Sequence, residues 1–331
     1  MKKFNYLLLA ATFLLIGKSQ AQDFHLSQYD AAALNFNPAM TGLFKGKYRI
    51  HGHYRNQWSA VATKPYTTGL IAFDMPINKF GLGVQAGNFR AGAGNYNVFS
   101  LLVSGSYDFK LDDNNYHHIS VGAQGGFFQK SVNQNKLTFG TQYTTANGGG
   151  YNTAISNGES FGANSFLTHD ANAGIIYYYG KETSKLNPFI GVTAYHLSQP
   201  SETFFSADNK LPMRYVGHLG TKINVNNKWQ FLPKAIYMRQ ENAQEMTFSV
   251  HAHYYIQSSD AILIFGPTYR NKDAAIFEAG IQFGKFIYRM SYDFNTSSLN
   301  TSSNGRGGLE MSLTFIQKKL DPNPIPTCPR L

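Results

Sequence analysis

The chain near its C-terminus, Phe286 to Ile316, reads FIYRMSYDFNTSSLNTSSNGRGGLEMSLTFI. Apolar side chains occupy every second position at its start: Phe286, Tyr288, Met290, Tyr292 and Phe294. Arg289, Ser291 and Asp293 lie between them, and the alternation returns after a Ser/Thr/Asn/Gly stretch with Leu309 and Met311 around Glu310. Because successive side chains of a strand point to opposite faces, this stretch is predicted to be a β-hairpin with one apolar and one charged face. The pattern alone fits both a soluble sandwich core and a lipid-facing barrel wall.

The N-terminus has the features of a secretory signal. Lys2 and Lys3 precede a short apolar run, 6–16, and small residues follow up to Ala21. The run is too short for a membrane-spanning helix, which needs about 20 apolar residues, so residues 1–21 are predicted to be a signal peptide. No later segment is long and apolar enough to be such a helix, so a membrane protein of this sequence has to be a closed barrel.

The composition favours sheet over helix. Aromatic residues make up 15% of the chain, charged residues only 15%, and there are 31 glycines, a mixture typical of strands joined by glycine-containing turns. Cys328 is the only cysteine, which excludes an internal disulfide. The formal charge of +10 is not specific for any partner, and no nucleic-acid partner is predicted.

The rest of the chain repeats the two-faced pattern and predicts an all-β transmembrane outer-membrane barrel of about 14 antiparallel strands. Tight connections alternate with long polar ones, the asymmetry of short periplasmic turns and long extracellular loops. We therefore expect an irregular segment at 22–46, the barrel at 47–318, and a Pro-rich periplasmic tail at 319–331, with both termini in the periplasm. The last strand should pair with 47–58 to close the barrel. The predicted strands are 47–58, 67–77, 80–90, 96–111, 117–130, 171–180, 188–198, 213–224, 229–240, 246–257, 261–270, 275–283 and the C-terminal pair.

Polar positions of these strands should face the lumen. The predicted lumen network comprises Arg49, His51, His53, Arg55, Arg214, His251, His253, Arg289, Asp293 and Glu310. We favour ion pairs and hydrogen bonds that hold the barrel together over a path for solutes. A barrel of this size needs bulky groups or a plug to close, and either 22–46 or the loop 131–169 could supply one. The histidine pairs lack a carboxylate or cysteine at a fixed offset, so no metal is predicted. Ser165, His169 and Asp170 lie in a long Gly/Asn-rich connection where nothing orients them as a triad, so no catalytic residue is predicted, and no cofactor is predicted either.

Aromatic residues in the predicted outer loops are candidates for partner binding. Adjacent exposed phenylalanines are unfavourable unless they are covered; Phe204 and Phe205 could be covered by the barrel's own loops or by a partner, and both alternatives stay open. The partner-binding candidates are Phe204, Phe205, Tyr143, Tyr151 and Phe161.

Several short motifs, taken in order, resemble one family. They are Ser27-Gln28-Tyr29, Asn37-Pro38-Ala39 with Gly42, Arg55-Asn56-Gln57-Trp58, Ser291-Tyr292-Asp293, Gly308-Leu309-Glu310 and Cys328-Pro329-Arg330. In the order and spacing of these motifs, the chain resembles the PorP/SprF outer-membrane proteins of the type IX secretion system. These proteins are found in gliding and adhesin-secreting Bacteroidota, and the resemblance covers essentially the whole mature chain. It departs from the common pattern by ending in Leu331 rather than in an aromatic residue.

This resemblance implies a non-enzymatic fourteen-stranded barrel that assists export or surface retention of a secreted protein, usually an adhesin, by binding its C-terminal domain. Some members instead look like core components that contact the periplasmic ring of the secretion machine, and the sequence does not separate the two roles. A porin-like channel for small solutes is the alternative function. A soluble exported sandwich or lectin is a third possibility.

Overall fold

Fourteen strands of the described residues close into one antiparallel barrel. A computed structural model describes residues 23–59, 64–92, 94–159, 162–204, 209–298 and 300–318; the predicted signal peptide and the tail 319–331 lie outside them. The barrel strands are β1 (Tyr48–Gln57), β2 (Tyr66–Ile77), β3 (Phe80–Ala91), β4 (Tyr96–Lys110), β5 (His117–Ser131), β8 (Ser165–Tyr179), β9 (Leu186–Tyr195), β10 (Arg214–Asn224), β11 (Trp229–Gln240), β12 (Ala243–Ile256), β13 (Ala261–Arg270), β14 (Ala274–Phe283), β15 (Phe286–Asn295) and β16 (Arg306–Gln317). Two short strands, β6 (Tyr143–Thr144) and β7 (Gly150–Tyr151), form a separate hairpin.

The predicted C-terminal hairpin is present as β15 and β16, and β16 closes the barrel against β1. Tyr48 pairs with Gln317 at one end of this seam and Gln57 with Gly308 at the other, so the predicted closure is confirmed. A single helical turn, α2 (Asn300–Ser303), lies in the connection between β15 and β16.

The barrel wall has an apolar outer face and a polar inner face. Val103, Ile71 and Leu219 point outward and are 61%, 59% and 54% exposed. Inward side chains of the same strands are buried, among them Ser104 and His218. No helix in the described part of the chain is long and apolar enough to cross a membrane.

The two ends of the barrel differ in their connections. At the short-turn end, strands are joined by short segments such as 78–79, 225–228 and 284–285. The long-loop end carries 132–164, 196–213 and 296–305, but it also has tight turns at 241–242 and 271–273. The eighth strand begins at Ser165 rather than at the predicted 171, because its pairing with β5 continues to Ser131.

Residues 23–46, here called the plug, run through the lumen from one end of the barrel to the other. Asp23 lies beside His196 at the long-loop end, whereas Gly46 lies against Ile316 at the short-turn end. Lys318 ends the described chain at the short-turn end, so the two ends of the described chain lie at opposite ends of the barrel. The prediction that both termini face the periplasm requires the two chain ends on the same side of the barrel, and the positions of Asp23 and Lys318 do not agree with it.

The plug contains one turn of helix, α1 (Ala33–Phe36), followed by a 3-10 turn at Pro38–Met40. Asn37 is extended between them, as expected for a residue before proline. Its side-chain oxygen accepts a hydrogen bond from the N–H of Ala39 and caps the 3-10 turn. The hydrophobic core lies between plug and wall, where Phe36 packs with wall residues Tyr195, Val216 and Ile236.

The outer face should tolerate charge only near its rims. We expect Ile71→Lys, in the middle of β2, to cost about 2–4 kcal/mol of folding free energy in lipid, since it places a charge near the centre of the apolar band. Leu111→Lys, at the short-turn rim and 54% exposed, should cost only about 0–1 kcal/mol. Urea titrations in lipid vesicles measure both, and equal costs would contradict the assignment of the apolar face to the bilayer.

Candidate functional site

The upper part of the plug is held by two buried carboxylates of the last hairpin. Glu310, which is 0% exposed, accepts hydrogen bonds from the backbone N–H groups of Ser27 and Gln28 at 2.8 and 2.7 Å. The Ser27 hydroxyl donates to Asp293 at 2.8 Å. The Gln28 amide donates to the Glu310 carbonyl at 3.1 Å and accepts from the Ser312 hydroxyl at 2.7 Å. The plug therefore forms an integral part of the C-terminal hairpin's hydrogen-bond network.

Basic side chains from two strands, β1 and β13, surround these carboxylates. Arg55 lies 3.0 Å from Asp293 and 3.5 Å from Glu310, and it also donates to the carbonyl of His25 in the plug. His53 contacts Glu310 at 2.7 Å, and Arg270 donates to the Ser27 hydroxyl at 2.8 Å. A buried charge is costly unless it is paired and hydrogen-bonded, so each group in this cluster depends on the others.

A second ionic group binds the middle of the plug. Asp30 accepts from Arg289 at 2.7 Å and forms an ion pair with Lys234. Arg289 also donates to Glu278 at 2.6 Å. Tyr29 bonds to the hydroxyl of Ser249 at 3.0 Å. These contacts attach the plug to β11, β12 and β15, and Arg289 links it in turn to β14.

The lower plug fits against glycines of the wall. A Cβ atom on Gly174 would lie 2.0 Å from the side-chain oxygen of Asn37, and one on Gly122 would lie 2.4 Å from the carbonyl oxygen of Pro38. A Cβ on Gly81 would lie 2.1 Å from the carbonyl oxygen of Thr41. Because these distances are far below van der Waals contact, the inward glycines mark where the Asn37–Thr41 backbone touches the wall.

The plug leaves the lumen through a turn at Gly42. Its φ of +72° is in the left-handed region that favours glycine. Its N–H donates to Asp74 at 2.8 Å, and Asp74 also accepts two bonds from Arg49 at 2.8 and 2.7 Å. Asp74 thus joins the plug to the first two strands.

The start of the plug is bound by a histidine at the long-loop end. His196 follows β9 and contacts Asp23 at 2.6 Å through Nε2 and Asp170 at 2.9 Å through Nδ1. Burial alone lowers the pKa of His196, but the hydrogen bonds and charges of the two aspartates outweigh it and raise that pKa to about 9. His196 is therefore protonated at neutral pH and donates from both ring nitrogens.

The structure places the predicted lumen residues on the inner side of the wall. His51 bonds to His53 at 3.2 Å and to Thr314 at 2.8 Å, and Arg214 lies 4.1 Å above the ring of Tyr195. His251, beside Lys234 at 3.3 Å, is buried, and His253 is half-buried. Within the described residues, no three His, Cys, Asp or Glu side chains form a group that could hold a metal ion.

The predicted partner-binding aromatics have different environments. Phe204 packs against Phe166 and Tyr96, with ring centroids 5.0 and 6.3 Å apart, so the barrel's own residues half-bury it. Tyr143 and Tyr151 pack on each other across β6 and β7 and stay 53% and 55% exposed. Phe161 and Phe205 lie outside the described residues.

The motif residues largely converge on the plug. Gln28, Tyr29, Asn37, Pro38 and Gly42 belong to it, and Asp293 and Glu310 bind it. Trp58, Gln57 and Tyr292 do not touch it: Trp58 packs on Tyr66 at 4.6 Å, Gln57 pairs with Gly308, and Tyr292 faces outward against Phe294 at 4.9 Å.

Sequence reasoning missed several residues of the site. Arg270 lies on the same inward face of β13 as Ile264 and Thr268. Assigning the alternate residues of β13 to the inner and outer faces would have identified it. Lys234 follows Pro233 in a strand of ambiguous phase. Asp23 and Asp30 lie in an irregular segment, where no periodicity indicates the direction of a side chain.

Comparisons with known proteins agree with this geometry. A family model described as "Type IX secretion system membrane protein PorP/SprF" matches residues 18–315. No curated protein matches the chain. Among solved structures, the Ralstonia pickettii toluene transporter TbuX has a TM-score of 0.53 at 12% identity, covering 88% of this chain and 94% of that one. A TodX deltaS2S3 mutant, titled a monoaromatic hydrocarbon channel, has a TM-score of 0.51 at 9% identity, covering 87% and 94%. At these identities the structural likeness concerns the barrel fold alone.

Removing Glu310 should release the upper plug from an intact barrel. Glu310→Ala leaves buried partners unpaired at a cost of about 3–5 kcal/mol, so the amides of Ser27 and Gln28 should exchange hydrogen roughly a hundredfold faster or more. Hydrogen exchange followed by mass spectrometry measures this, and electrophoretic heat-modifiability reports the barrel. Glu159→Ala, at an exposed loop position, is the control; unchanged exchange in Glu310→Ala would contradict the assigned role.

The His196 contact should stabilise the protein below pH 9 and fail above it. The pKa of His196 rises on folding from 6.5 to about 9, a shift worth on the order of 3 kcal/mol. This contribution is complete below pH 6.5 and is lost as the pH rises through about 9. His196→Gln should therefore lower the unfolding free energy at pH 6 but hardly at pH 10, as urea titrations would show. The exposed His169→Gln is the control, and a difference independent of pH would contradict the protonated state.

Proposed function

The chain belongs to the PorP/SprF family of type IX secretion system membrane proteins, and on that premise we propose that it holds the C-terminal domain of a secreted surface protein, an adhesin, at its long-loop end. In this role it is an outer-membrane accessory of export and surface anchoring rather than an enzyme. The long-loop end faces the cell exterior, and Lys318 leads into the periplasm.

One observation carries this proposal: the lumen is occupied by the chain's own plug. The plug crosses the barrel and forms hydrogen bonds with the wall at four successive places. These bonds involve the wall residues Glu310 and Asp74 and the plug residues Asp30 and Asn37. A pore for solutes needs an open path, but buried ionic contacts cross this lumen. Opening a path would require breaking these contacts together, because each depends on its partners. A barrel with a filled lumen acts through its two ends.

The exposed hairpin β6–β7 is the surface best suited to a partner at the long-loop end. Tyr143 and Tyr151 keep about half of their surface in solvent, and tyrosine is enriched at the energetic centres of protein interfaces. Phe204 is half-buried against Phe166 and Tyr96, so it offers a partner less of its ring than the two tyrosines do.

The short-turn end supports contact with the secretion machine. Exposed lysines surround it: Lys45, Lys47, Lys79, Lys110, Lys185, Lys228, Lys285 and Lys318. Such a rim suits acidic protein surfaces and the phosphates of outer-membrane lipid. The periplasmic ring of the machine is the protein partner that we assign to this end.

A channel for small solutes is the second candidate. A cavity of about 1060 Å³ lies beside the lower plug at the short-turn end, lined in part by Phe36, Phe189 and Lys234, and a smaller one of about 340 Å³ lies at the long-loop end. These spaces would become continuous only if the plug moved. Planar-bilayer recordings of the purified protein separate the candidates: we expect no steady current, and a steady open-channel current would favour the channel.

Deletion of the gene tests the anchoring role directly. We expect one secreted protein to lose its surface display, and the same protein to co-purify with the barrel from detergent-solubilised outer membrane. Replacing Tyr143 and Tyr151 by alanine should reduce co-purification at least tenfold, whereas the nearby exposed pair Lys136→Ala and Thr145→Ala should not. Unchanged display in the deletion strain would overturn the proposal.

A further inference from the structure

A chamber lies at the long-loop end of the lumen, between the start of the plug and strands β3, β4, β5 and β8. Its volume is about 340 Å³. Aromatic rings form much of its wall: Phe24, Phe89, Tyr96, Phe128 and Tyr195. Phe24 of the plug stacks on Phe89 of the wall at 5.3 Å, nearly parallel at 9°. The chamber is large enough for a ring-bearing group and offers it apolar faces.

The loop after β9 covers this chamber. Glu202 lines it and pairs with Lys130 of β5. Leu211, 6% exposed, lines it from the end of the same loop. Phe204 packs on Tyr96, and its carbonyl accepts a bond from the N–H of Gly162 at 2.8 Å. A group can enter the chamber only if Glu202 and Phe204 leave these contacts.

The chamber contains an unsatisfied polar group. Gln85 is 3% exposed and lines the space. Its Nε2 donates to Oδ1 of Asn35 at 3.3 Å, but its Oε1 is buried and has no hydrogen-bond partner among the described residues. Leaving a buried acceptor unpaired is unfavourable, and a donor from a bound group would remove that penalty.

The charges around the chamber are already matched. Lys130 pairs with Glu202, and the protonated His196 lies between Asp170 and Asp23. Arg214 lies 3.7 Å from Asp23. A group entering the chamber therefore meets aromatic faces and a free amide oxygen, but no uncompensated charge. These are the requirements of a neutral group with an aromatic body and an N–H donor.

We propose that this chamber receives an aromatic side chain of the secreted partner together with its adjoining peptide amide, whose N–H donates to Oε1 of Gln85. The inference rests on the proposed function, since it names the part of the partner that the long-loop end recognises. Phe204 and Glu202 move aside as the partner enters, and the amide takes the hydrogen bond that Gln85 lacks.

A binding experiment on the full-length protein in detergent tests the chamber itself. The probe is N-acetylphenylalanine amide, compared with the anionic N-acetylphenylalanine, and binding is measured by saturation-transfer NMR titration. We expect the neutral probe to bind at least tenfold more tightly. Gln85→Met, which removes the acceptor at similar size, should weaken binding about tenfold, whereas Gln129→Met on the outer face of β5 should not. Equal binding of the two probes, or no effect of Gln85→Met, overturns the proposal.

A cavity-filling pair provides the second arm. Ser100→Phe should fill the chamber and abolish probe binding, whereas Val103→Phe, on the same strand but 61% exposed on the outer face, should leave it unchanged. In cells, Ser100→Phe should reduce display of the secreted protein while the barrel stays at its normal level. If display is lost on gene deletion but is normal in Ser100→Phe, the chamber proposal fails and the anchoring role stands. If display survives deletion, the anchoring role fails.

Discussion

The contact between Glu310 and the backbone of Ser27 and Gln28 is the interaction on which the rest of the structure depends. A fully buried carboxylate in the last strand accepts two plug N–H groups and faces His53 and Arg55 of the first strand. It thereby joins the plug to both strands of the closing seam. Without these donors the buried carboxylate of Glu310 would be unpaired and would destabilise the barrel. Desolvating a carboxylate is strongly unfavourable unless hydrogen bonds and cations compensate for it.

The remaining features of the lumen follow from having a chain segment inside a barrel wall. Its polar backbone groups need partners away from water, which the wall supplies as hydroxyls and amides, for example Ser120 to the carbonyl of Ala39 at 2.7 Å. The same segment needs room, which the wall supplies by omitting side chains at Gly81, Gly122 and Gly174. Ion pairs thus hold the upper and middle plug in the barrel, and close packing against the wall holds the lower plug.

Because the plug fills the lumen, the surfaces of this protein that are open to other molecules lie at the two ends of the barrel. The short-turn end is a lysine-rich rim around a wide cavity, and the long-loop end combines an exposed tyrosine hairpin with a covered aromatic chamber. The family assignment places such a barrel in a secretion system. The two ends therefore differ in charge and in shape.

The sequence by itself determined the wall, because side chains in a strand alternate with a period of two wherever lipid and lumen lie on opposite sides. Phe286, Tyr288, Arg289 and Asp293 could be assigned to their faces from spacing alone, and the uneven connections indicated a barrel with two unlike ends. Only the tertiary structure decided what fills the lumen. Asp30 meets Lys234 and Arg289 across more than 200 residues of sequence, and no local pattern encodes such a distance. Likewise the loop position of Phe204 predicts an exposed side chain, but in the folded protein its ring packs against Tyr96 and Phe166. Periodicity reports which way a side chain points, whereas its partners are set by how the closed wall brings distant strands around the plug.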